Sequence, residues 1–294
     1  MGSFRSGFVA VIGRPNVGKS TLLNGFIGQK VAIVSDKPQT TRNRIQAVLT
    51  KPHGQIVFLD TPGLHKPLHR LGDYMVKTAR ESLQDVDVVL MVVEMPLWKR
   101  ADDYIIEELP KRTPVILAAN KMDRADEGMQ MTLLQTAEKK FPFSAVVRVS
   151  ALTGENMETL LKAIMGYLPE GPKYYPDDWV TDHPEQFVIT EFIREQVLKQ
   201  TQEEIPHSVA VVIESMSQAK TRPLVKVDAV IFVERSSQKG ILIGRGGARL
   251  KSIGTDARQQ IEQLLGMQVH LSLWVKVKKD WRDKLGTLRE LGYN

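Results

Sequence analysis

Five short apolar runs recur through the first half of the chain: FVAVIG (8–13), QIVFLD (55–60), VVLMVV (88–93), PVILAAN (114–120) and AVVRVS (145–150). Their hydrophobicity is continuous rather than alternating, which suits a strand covered on both faces. Longer stretches of helical character separate them. This alternation gives an α/β fold, a mostly parallel, doubly wound sheet with helices on both faces, expected over residues 1–168. PEGPKYYPDDWVTDHPE (169–185) then places four prolines in 17 residues, too many for a helix or a central strand, and is expected to be a linker. Its aromatics, Tyr174, Tyr175 and Trp179, predict that it packs against a domain rather than hanging loose.

After the linker the pattern changes. FVITEFIREQVLKQT (187–201) has a helical period, and HSVAVVIESM and LVKVDAVIFVER are expected to pair as strands. The Gly-rich turn ILIGRGGARLKSIG (241–254) lies between two helices, the second running to about Leu265. MQVHLSLWVKV alternates as a strand, and WRDKLGTLRELG predicts a last short helix. The order α-β-β-α-α-β-α describes a smaller α+β domain over residues 186–294.

A length of 294 residues suits two domains. The chain has no cysteine and no apolar run long enough to span a bilayer, and its N-terminal stretch lacks the apolar core of a secretory signal, so a cytoplasmic protein is expected. The net charge of +6 is unevenly placed. From Arg235 onward there are 12 Lys/Arg against 5 Asp/Glu, whereas the residues before it carry 28 against 29. A local positive field of this kind attracts a polyanion, either nucleic acid or an acidic membrane surface.

GRPNVGKS (13–20) fits the phosphate-binding pattern G-x-x-x-x-G-K-[ST], placed between a strand and a helix as that pattern requires. Gly13 and Gly18 permit the tight turn, so that the N–H groups of Asn16, Val17, Gly18, Lys19 and Ser20 can converge on a β-phosphate, with Arg14, Pro15 and Thr21 as further candidate nucleotide-binding positions of the same segment. Lys19 supplies a point charge to the phosphates and Ser20 a hydroxyl to Mg²⁺. DTPG (Asp60, Thr61, Pro62, Gly63) closes the QIVFLD run, where Asp60 can hold the Mg²⁺ shell and the Gly63 amide can meet a γ-phosphate. NKMD (Asn120, Lys121, Met122, Asp123) closes PVILAAN. The Asp123 carboxylate can accept from the N1–H and N2–H₂ edge of guanine, which adenine does not offer, and this selects GTP/GDP over adenine nucleotides. Asn120 is expected to buttress the loop and Lys121 to lay its stem along the base. SAL (Ser150, Ala151, Leu152) is expected to turn a backbone amide toward guanine O6. PQTTR (38–42) lies in a polar loop where one of two threonines can reach Mg²⁺ while the γ-phosphate is present; the residues alone leave Thr40 and Thr41 both open.

In this order the motifs resemble those of the translation-factor-related GTPases, over residues 8 to about 168. The resemblance implies Thr41 as the threonine that joins Ser20 and Asp60 at Mg²⁺; the candidate catalytic positions are Lys19, Thr41, Gly63 and Asn16. The chain departs from Ras-like members at Leu64, where those proteins place a glutamine that orients the attacking water. An alkyl chain cannot do so, and slow intrinsic turnover is expected. Asn16, with backbone near Thr40, either helps hold a K⁺ ion against the phosphates or only shapes the loop.

The second Gly-rich turn fails as a dinucleotide fingerprint: Gly244 and Gly246 fit, but Arg249 stands where the third glycine belongs and no βαβ unit surrounds it. It fits I-G-x-x-G-x-x-[IL] through Ile243, Gly244, Gly247 and Leu250, the GxxG turn of a KH module, which approaches a nucleic-acid backbone closely. Arg245, Gly246, Arg249 and Lys251 are the remaining candidate RNA-contact residues, and the element order matches the type II arrangement.

The whole chain resembles the bacterial ribosome-assembly GTPases that join such a nucleotide domain to a type II KH domain. The resemblance implies binding of the 3′ region of 16S ribosomal RNA, assistance in 16S rRNA processing and 30S subunit biogenesis, and peripheral contact with the inner membrane, with no DNA partner. A switch is expected, in which GTP orders the loop around Thr41 and DTPG and exposes the KH groove until hydrolysis releases the factor. Two other classes compete: an RNA-modifying or membrane-associated GTPase whose basic region meets lipid, and a plain RNA-binding module with a degenerate nucleotide site. Intact Lys19, Ser20, Asp60 and Asp123 speak against the last.

Overall fold

The computed structural model describes residues 3–64, 67, 69–219 and 222–293. Its chain forms two compact units, one of residues 1–34, 41–67 and 72–182, the other of residues 35–40, 68–71 and 183–294.

In the first unit, β1 (Arg5–Gly13) is followed by α1 (Lys19–Ile27), β2 (Ile45–Lys51), β3 (Gly54–Asp60), α2 (Arg70–Glu81), β4 (Val88–Glu94), α3 (Arg100–Glu107), β5 (Val115–Asn120), α4 (Glu127–Lys140), β6 (Ala145–Arg148) and α5 (Met157–Tyr167). The six strands order as β2-β3-β1-β4-β5-β6, all parallel except the β2–β3 hairpin. Val9, Ala10, Val11 and Ile12 are all fully buried although successive side chains point to opposite faces, so both faces of β1 are covered. Strand order reverses on either side of β1, and the loop leaving its C-terminal end therefore opens into the crevice where such sheets bind ligands.

The sheet has one strand more than the five apolar runs predict. IQAVLTK forms β2, an edge strand whose Gln46, Thr50 and Lys51 interrupt the apolar run. β6 is also shorter than AVVRVS suggests, ending at Arg148. The Val149 amide still donates to the Ala119 carbonyl of β5 (2.9 Å), while the Val149 carbonyl accepts from the Met122 amide (3.1 Å), so the chain leaves the sheet tied to the NKMD loop.

The proline-rich segment up to residue 182 packs on this first unit. Gln55 Oε1 accepts from the amides of Tyr174 (2.8 Å) and Tyr175 (3.0 Å), the Tyr174 ring lies 5.1 Å from that of Phe8, and the Val48 amide donates to the Val180 carbonyl (2.8 Å). The segment is anchored through its two tyrosines, while Trp179 stacks on Tyr175 (ring centroids 5.6 Å) and stays exposed.

The second unit contains α6 (Glu185–Gln200), α7 (Ile205–Ser208), β7 (Ala210–Gln218), β8 (Leu224–Val233), α8 (Ser236–Ile243), α9 (Ala248–Leu265), β9 (Gln268–Val277) and α10 (Leu285–Glu290). β8 pairs antiparallel with β7 and parallel with β9, and α6 and α9 pack on each other. α7 is a single turn that the sequence pattern does not predict; Pro206 in its first turn costs no helical hydrogen bond, and the following strand begins only at Ala210.

Candidate functional site

The loop after β1 passes directly into α1, whose first residue is Lys19. Gly18 sits at φ +100°, and a Cβ there would lie 2.3 Å from Asn120 Nδ2, so only glycine lets the turn close against the NKMD strand end. Asn16 is left-handed as well (φ 66°), a conformation asparagine tolerates better than most residues. That geometry shapes the loop whether or not the side chain also meets a cation.

Lys19 Nζ donates to the carbonyls of Gly13 (3.0 Å) and Arg14 (2.9 Å). Three oxygens converge beside it: Ser20 Oγ lies 3.1 Å from Thr41 Oγ1 and donates to Asp60 Oδ2 at 2.9 Å. Asp60 is fully buried and its Oδ1 has no hydrogen-bond partner. Two hydroxyls and a carboxylate are hard oxygen donors of the kind Mg²⁺ takes when phosphates complete its shell, and the orphaned Oδ1 marks a position that a cation would satisfy.

Burial pushes the Asp60 carboxyl up to about 6, against the pull of Lys19, and pushes the Lys19 ammonium down to about 8, against the pull of Asp60. A carboxyl raised on folding stabilises the folded state fully below its unfolded pKa and loses that contribution as pH rises through the folded value. Between pH 5 and pH 7 the nucleotide-free protein should therefore lose roughly 1 kcal/mol of stability from this group, a loss absent from Asp60→Asn. Denaturant unfolding of both proteins at the two pH values measures it; an identical pH response would remove Asp60 as the source.

The other motifs gather around the same loop. Thr61 Oγ1 donates to the Val11 carbonyl (2.9 Å), and Thr61 and Pro62 are buried, so these two residues fix the segment that carries Gly63 past Pro15. Leu64 is buried among Val76, Ala79 and Met91, which explains why an alkyl side chain follows DTPG: it is a core residue here. Asn120 ties three loops together, donating to the Val17 carbonyl (2.8 Å) and accepting from the Ala151 amide (2.9 Å). Ser150 Oγ donates to Asp123 Oδ1 (2.6 Å) and orients a carboxylate that is otherwise exposed, beside exposed Leu152. Met122, in contrast, packs against the core.

Two acids missed in the sequence complete this arrangement. Glu94, at the end of β4, pairs with Lys121 Nζ at 2.6 Å, and the same Nζ donates to the Asn16 carbonyl at 2.8 Å, so the Lys121 stem is held at its tip. Burial alone would raise the Glu94 carboxyl, but the ammonium of Lys121 holds it below its usual range. Asp102, buried at the start of α3, accepts from Arg14 Nε (2.6 Å) and from the Lys99 amide (2.8 Å), fastening the phosphate loop to a helix N-terminus. Neither acid belongs to a spaced motif; only a strand-end position and a helix-capping pattern single them out.

In the second unit, Gly244 (φ 73°), Gly246 (φ 58°) and Gly247 (φ 82°) turn the chain from α8 into α9. A Cβ on Gly244 would lie 2.9 Å from Arg249 Cβ, so the turn is as tight as the motif demands. Arg245, Gly246, Arg249 and Lys251 are exposed, while Ile243 and Leu250 are half-buried. One donor of Arg249 is engaged: its Nη1 donates to the Ile241 carbonyl at 2.7 Å. From Gly247 a groove of about 380 Å³ runs along α9 and β9, lined by Leu250, Lys251, Gly254, Arg258, Leu271 and Leu273. Its apolar floor and basic margins suit unstacked bases and phosphates. Gly254, Arg258, Leu271 and Leu273 were not singled out from sequence, although positions 250, 254 and 258 share one helix face and 271 and 273 one strand face.

Comparison with known proteins bears on both units. Residues 8–121 match the family described as 50S ribosome-binding GTPase, and residues 204–282 match the KH domain. The chain is 50% identical to GTPase Era of Staphylococcus haemolyticus, covering 100% of this chain and 98% of the relative. It is 52% identical to GTPase Era of Alkaliphilus oremlandii, covering 99% and 100%. Among solved structures it superposes with a TM-score of 0.95, at 40% identity and 99% coverage of both chains, on an Era variant from Aquifex aeolicus bound to GDP and aluminium fluoride. The same scores hold for Era in complex with MgGDPNP and nucleotides 1506–1542 of 16S ribosomal RNA.

Proposed function

The chain belongs to the Era family of GTPases, and from that premise we propose that it hydrolyses GTP to GDP and phosphate and binds the 3′ region of 16S rRNA. In this role it assists 16S rRNA processing and assembly of the 30S subunit in the cytoplasm. The observation that carries the proposal is the meeting of Ser20, Thr41 and Asp60 around an unpartnered buried carboxylate oxygen, next to the Lys19 loop. Those three residues would hold Mg²⁺, which when bound neutralises charge on the β- and γ-phosphates. Lys19 leaves its two carbonyl partners for the phosphates, the Gly63 amide meets the γ-phosphate, and Asp123, oriented by Ser150, takes the guanine edge. Ile243, Gly244, Gly247 and Leu250 form the turn and its margin against the RNA backbone, with Arg245, Arg249 and Lys251 on phosphates.

GTP at the first site raises RNA affinity at the second, and hydrolysis releases the RNA. The basic excess after Arg235 also suits an acidic membrane surface. No helix among the described residues is long and apolar enough to cross a membrane, so inner-membrane contact would be peripheral.

With Leu64 committed to the core, water positioning and charge neutralisation fall to other groups, and K⁺ held by Asn16 is the candidate that replaces an arginine finger. Phosphate release from GTP measured in KCl and in NaCl, for wild type and Asn16→Ala, tests both parts. We expect slow Mg²⁺-dependent hydrolysis in both salts, about tenfold or more faster in KCl, and no salt preference in Asn16→Ala. Equal wild-type rates in the two salts would leave Asn16 as a loop-shaping residue only; no hydrolysis in either would contradict the enzyme.

A further inference from the structure

Successive side chains of a strand point to opposite faces, so β9 divides its residues between two surfaces. Leu271 and Leu273 line the groove beside α9, and Val269 and Val275 share that face by alternation and are buried. His270, Ser272, Trp274 and Lys276 therefore stand on the face of the sheet turned away from α9. Trp274 is 46% exposed there, in mid-strand. An exposed tryptophan alone needs no explanation, but this one borders a cavity.

The cavity holds about 830 Å³ and is walled by Arg222, Lys226 and Asp228 around β8, by His270 on β9, and by Arg258 and Glu262 at its α9 margin. Lys226 pairs with His270 and Asp228 with Ser272 across the two strands, so Trp274 stands one same-face step beyond, about 7 Å along β9. Both carboxylates are held in place: Asp228 Oδ2 accepts from Ser215 Oγ (2.7 Å), and Glu262 Oε1 accepts from Arg258 Nη1 (2.8 Å) and the Val269 amide (3.0 Å). An anionic lipid surface would call for cations alone. Carboxylates among cations suit nucleotides, whose phosphates take the cations and whose exocyclic amino groups donate to the acids. Arg258 also lines the groove that leads from Gly247, so a strand leaving that groove meets the cavity at the β9 edge of the sheet.

We propose that this face of the sheet is a second site for single-stranded RNA: the cavity takes a nucleotide that has passed Arg258 from the GxxG groove, and Trp274 stacks a base beyond it. The proposal rests on the RNA-binding reading of the GxxG turn. Such a turn clamps about four nucleotides, so the second site lengthens the footprint. Stacking accepts any base, and the site therefore adds affinity rather than sequence choice.

The test uses the full chain as wild type, Trp274→Ala, Trp274→Phe, Lys226→Gln and Gly247→Asp. Affinities for two single-stranded RNAs, of about four and about ten nucleotides, are read by competition against one fluorescent probe. Trp274→Ala should weaken the longer RNA by about 10–100-fold and the shorter by less than about twofold. Trp274→Phe keeps a stacking ring and should recover most of the loss, while quenching of tryptophan fluorescence by the longer RNA should be smaller in it than in wild type. Lys226→Gln should lower the salt dependence for the longer RNA by about one phosphate contact. Equal losses with both RNAs, or none with either, would overturn the second site. Loss of binding to phosphatidylglycerol vesicles in Trp274→Ala, with both RNA affinities unchanged, would overturn it too and assign the face to an anionic membrane. The RNA reading fails separately: wild type that binds neither RNA, or Gly247→Asp that binds both as wild type does, contradicts it whatever Trp274 does. Should Trp274→Ala not fold, Trp274→Phe decides: wild-type quenching overturns the site and reduced quenching supports it.

Discussion

Asp123→Asn should lower GTP and GDP affinity by about 10²–10⁴-fold and shift preference toward xanthine nucleotides. In the proposed role the carboxylate would accept from two donors on the guanine edge; an asparagine amide would turn one of its own donors against them and leave buried polar groups unpaired on both sides. Xanthine, which carries an oxygen where guanine carries the 2-amino group, accepts from that amide. The fold should survive the change, because Ser150 Oγ can still donate to the side-chain oxygen at position 123, now 2.6 Å from Oδ1. Competition between GTP and xanthosine triphosphate for the purified protein measures the switch. GTP affinity kept within threefold would mean that Asp123 does not read the base.

Gly247→Asp should abolish RNA binding, by at least about 100-fold at moderate salt, while leaving intrinsic GTP hydrolysis intact. Gly247 is left-handed, and an added Cβ there meets no heavy atom within 4 Å, so the new side chain has room. Aspartate is among the residues that visit this conformation, at a cost of about 1 kcal/mol. Its carboxylate would face the phosphates of RNA bound at the turn as proposed and would oppose the field of Arg245, Arg249 and Lys251. Fluorescence anisotropy with a single-stranded oligonucleotide of the 16S 3′ end, beside a phosphate-release assay, separates the two activities. Loss of both together would point to misfolding, and retention of RNA binding would remove the GxxG turn from the interface.

The nucleotide motifs were legible because their chemistry demands fixed residue types at the ends of apolar runs. Asp60 and Asn120 end β3 and β5, Asp123 follows Asn120, and Lys19 and Ser20 open α1 after the β1 loop, all on the edge where a parallel sheet presents its loops. What sequence did not disclose depends on pairing through space. β2 lacks a continuous apolar run because an edge strand can keep polar residues such as Gln46, here bonded to the Tyr175 hydroxyl. Glu94 and Asp102 are ordinary acids until β4 and α3 bring them to Lys121 and Arg14. Leu64 looked like a missing catalytic group and is a core side chain, a distinction that hydrophobicity at one position cannot make. The groove beside the GxxG turn needed the pairing of α9 with β9 before Leu271 and Leu273 acquired a meaning.

A GTP-controlled RNA clamp makes one demand that no separate nucleotide enzyme or RNA-binding module shares, a dependence of RNA affinity on the bound nucleotide. Affinity for the 16S 3′-end oligonucleotide should be measured in one buffer with GDP and with a non-hydrolysable GTP analogue, crosslinking the RNA in both states and using Gly247→Asp as the control. Binding should be about tenfold or more tighter with the analogue, a coupling of about 1.4 kcal/mol, and crosslinks should fall at residues 244–251. Equal affinities in the two nucleotide states would contradict it.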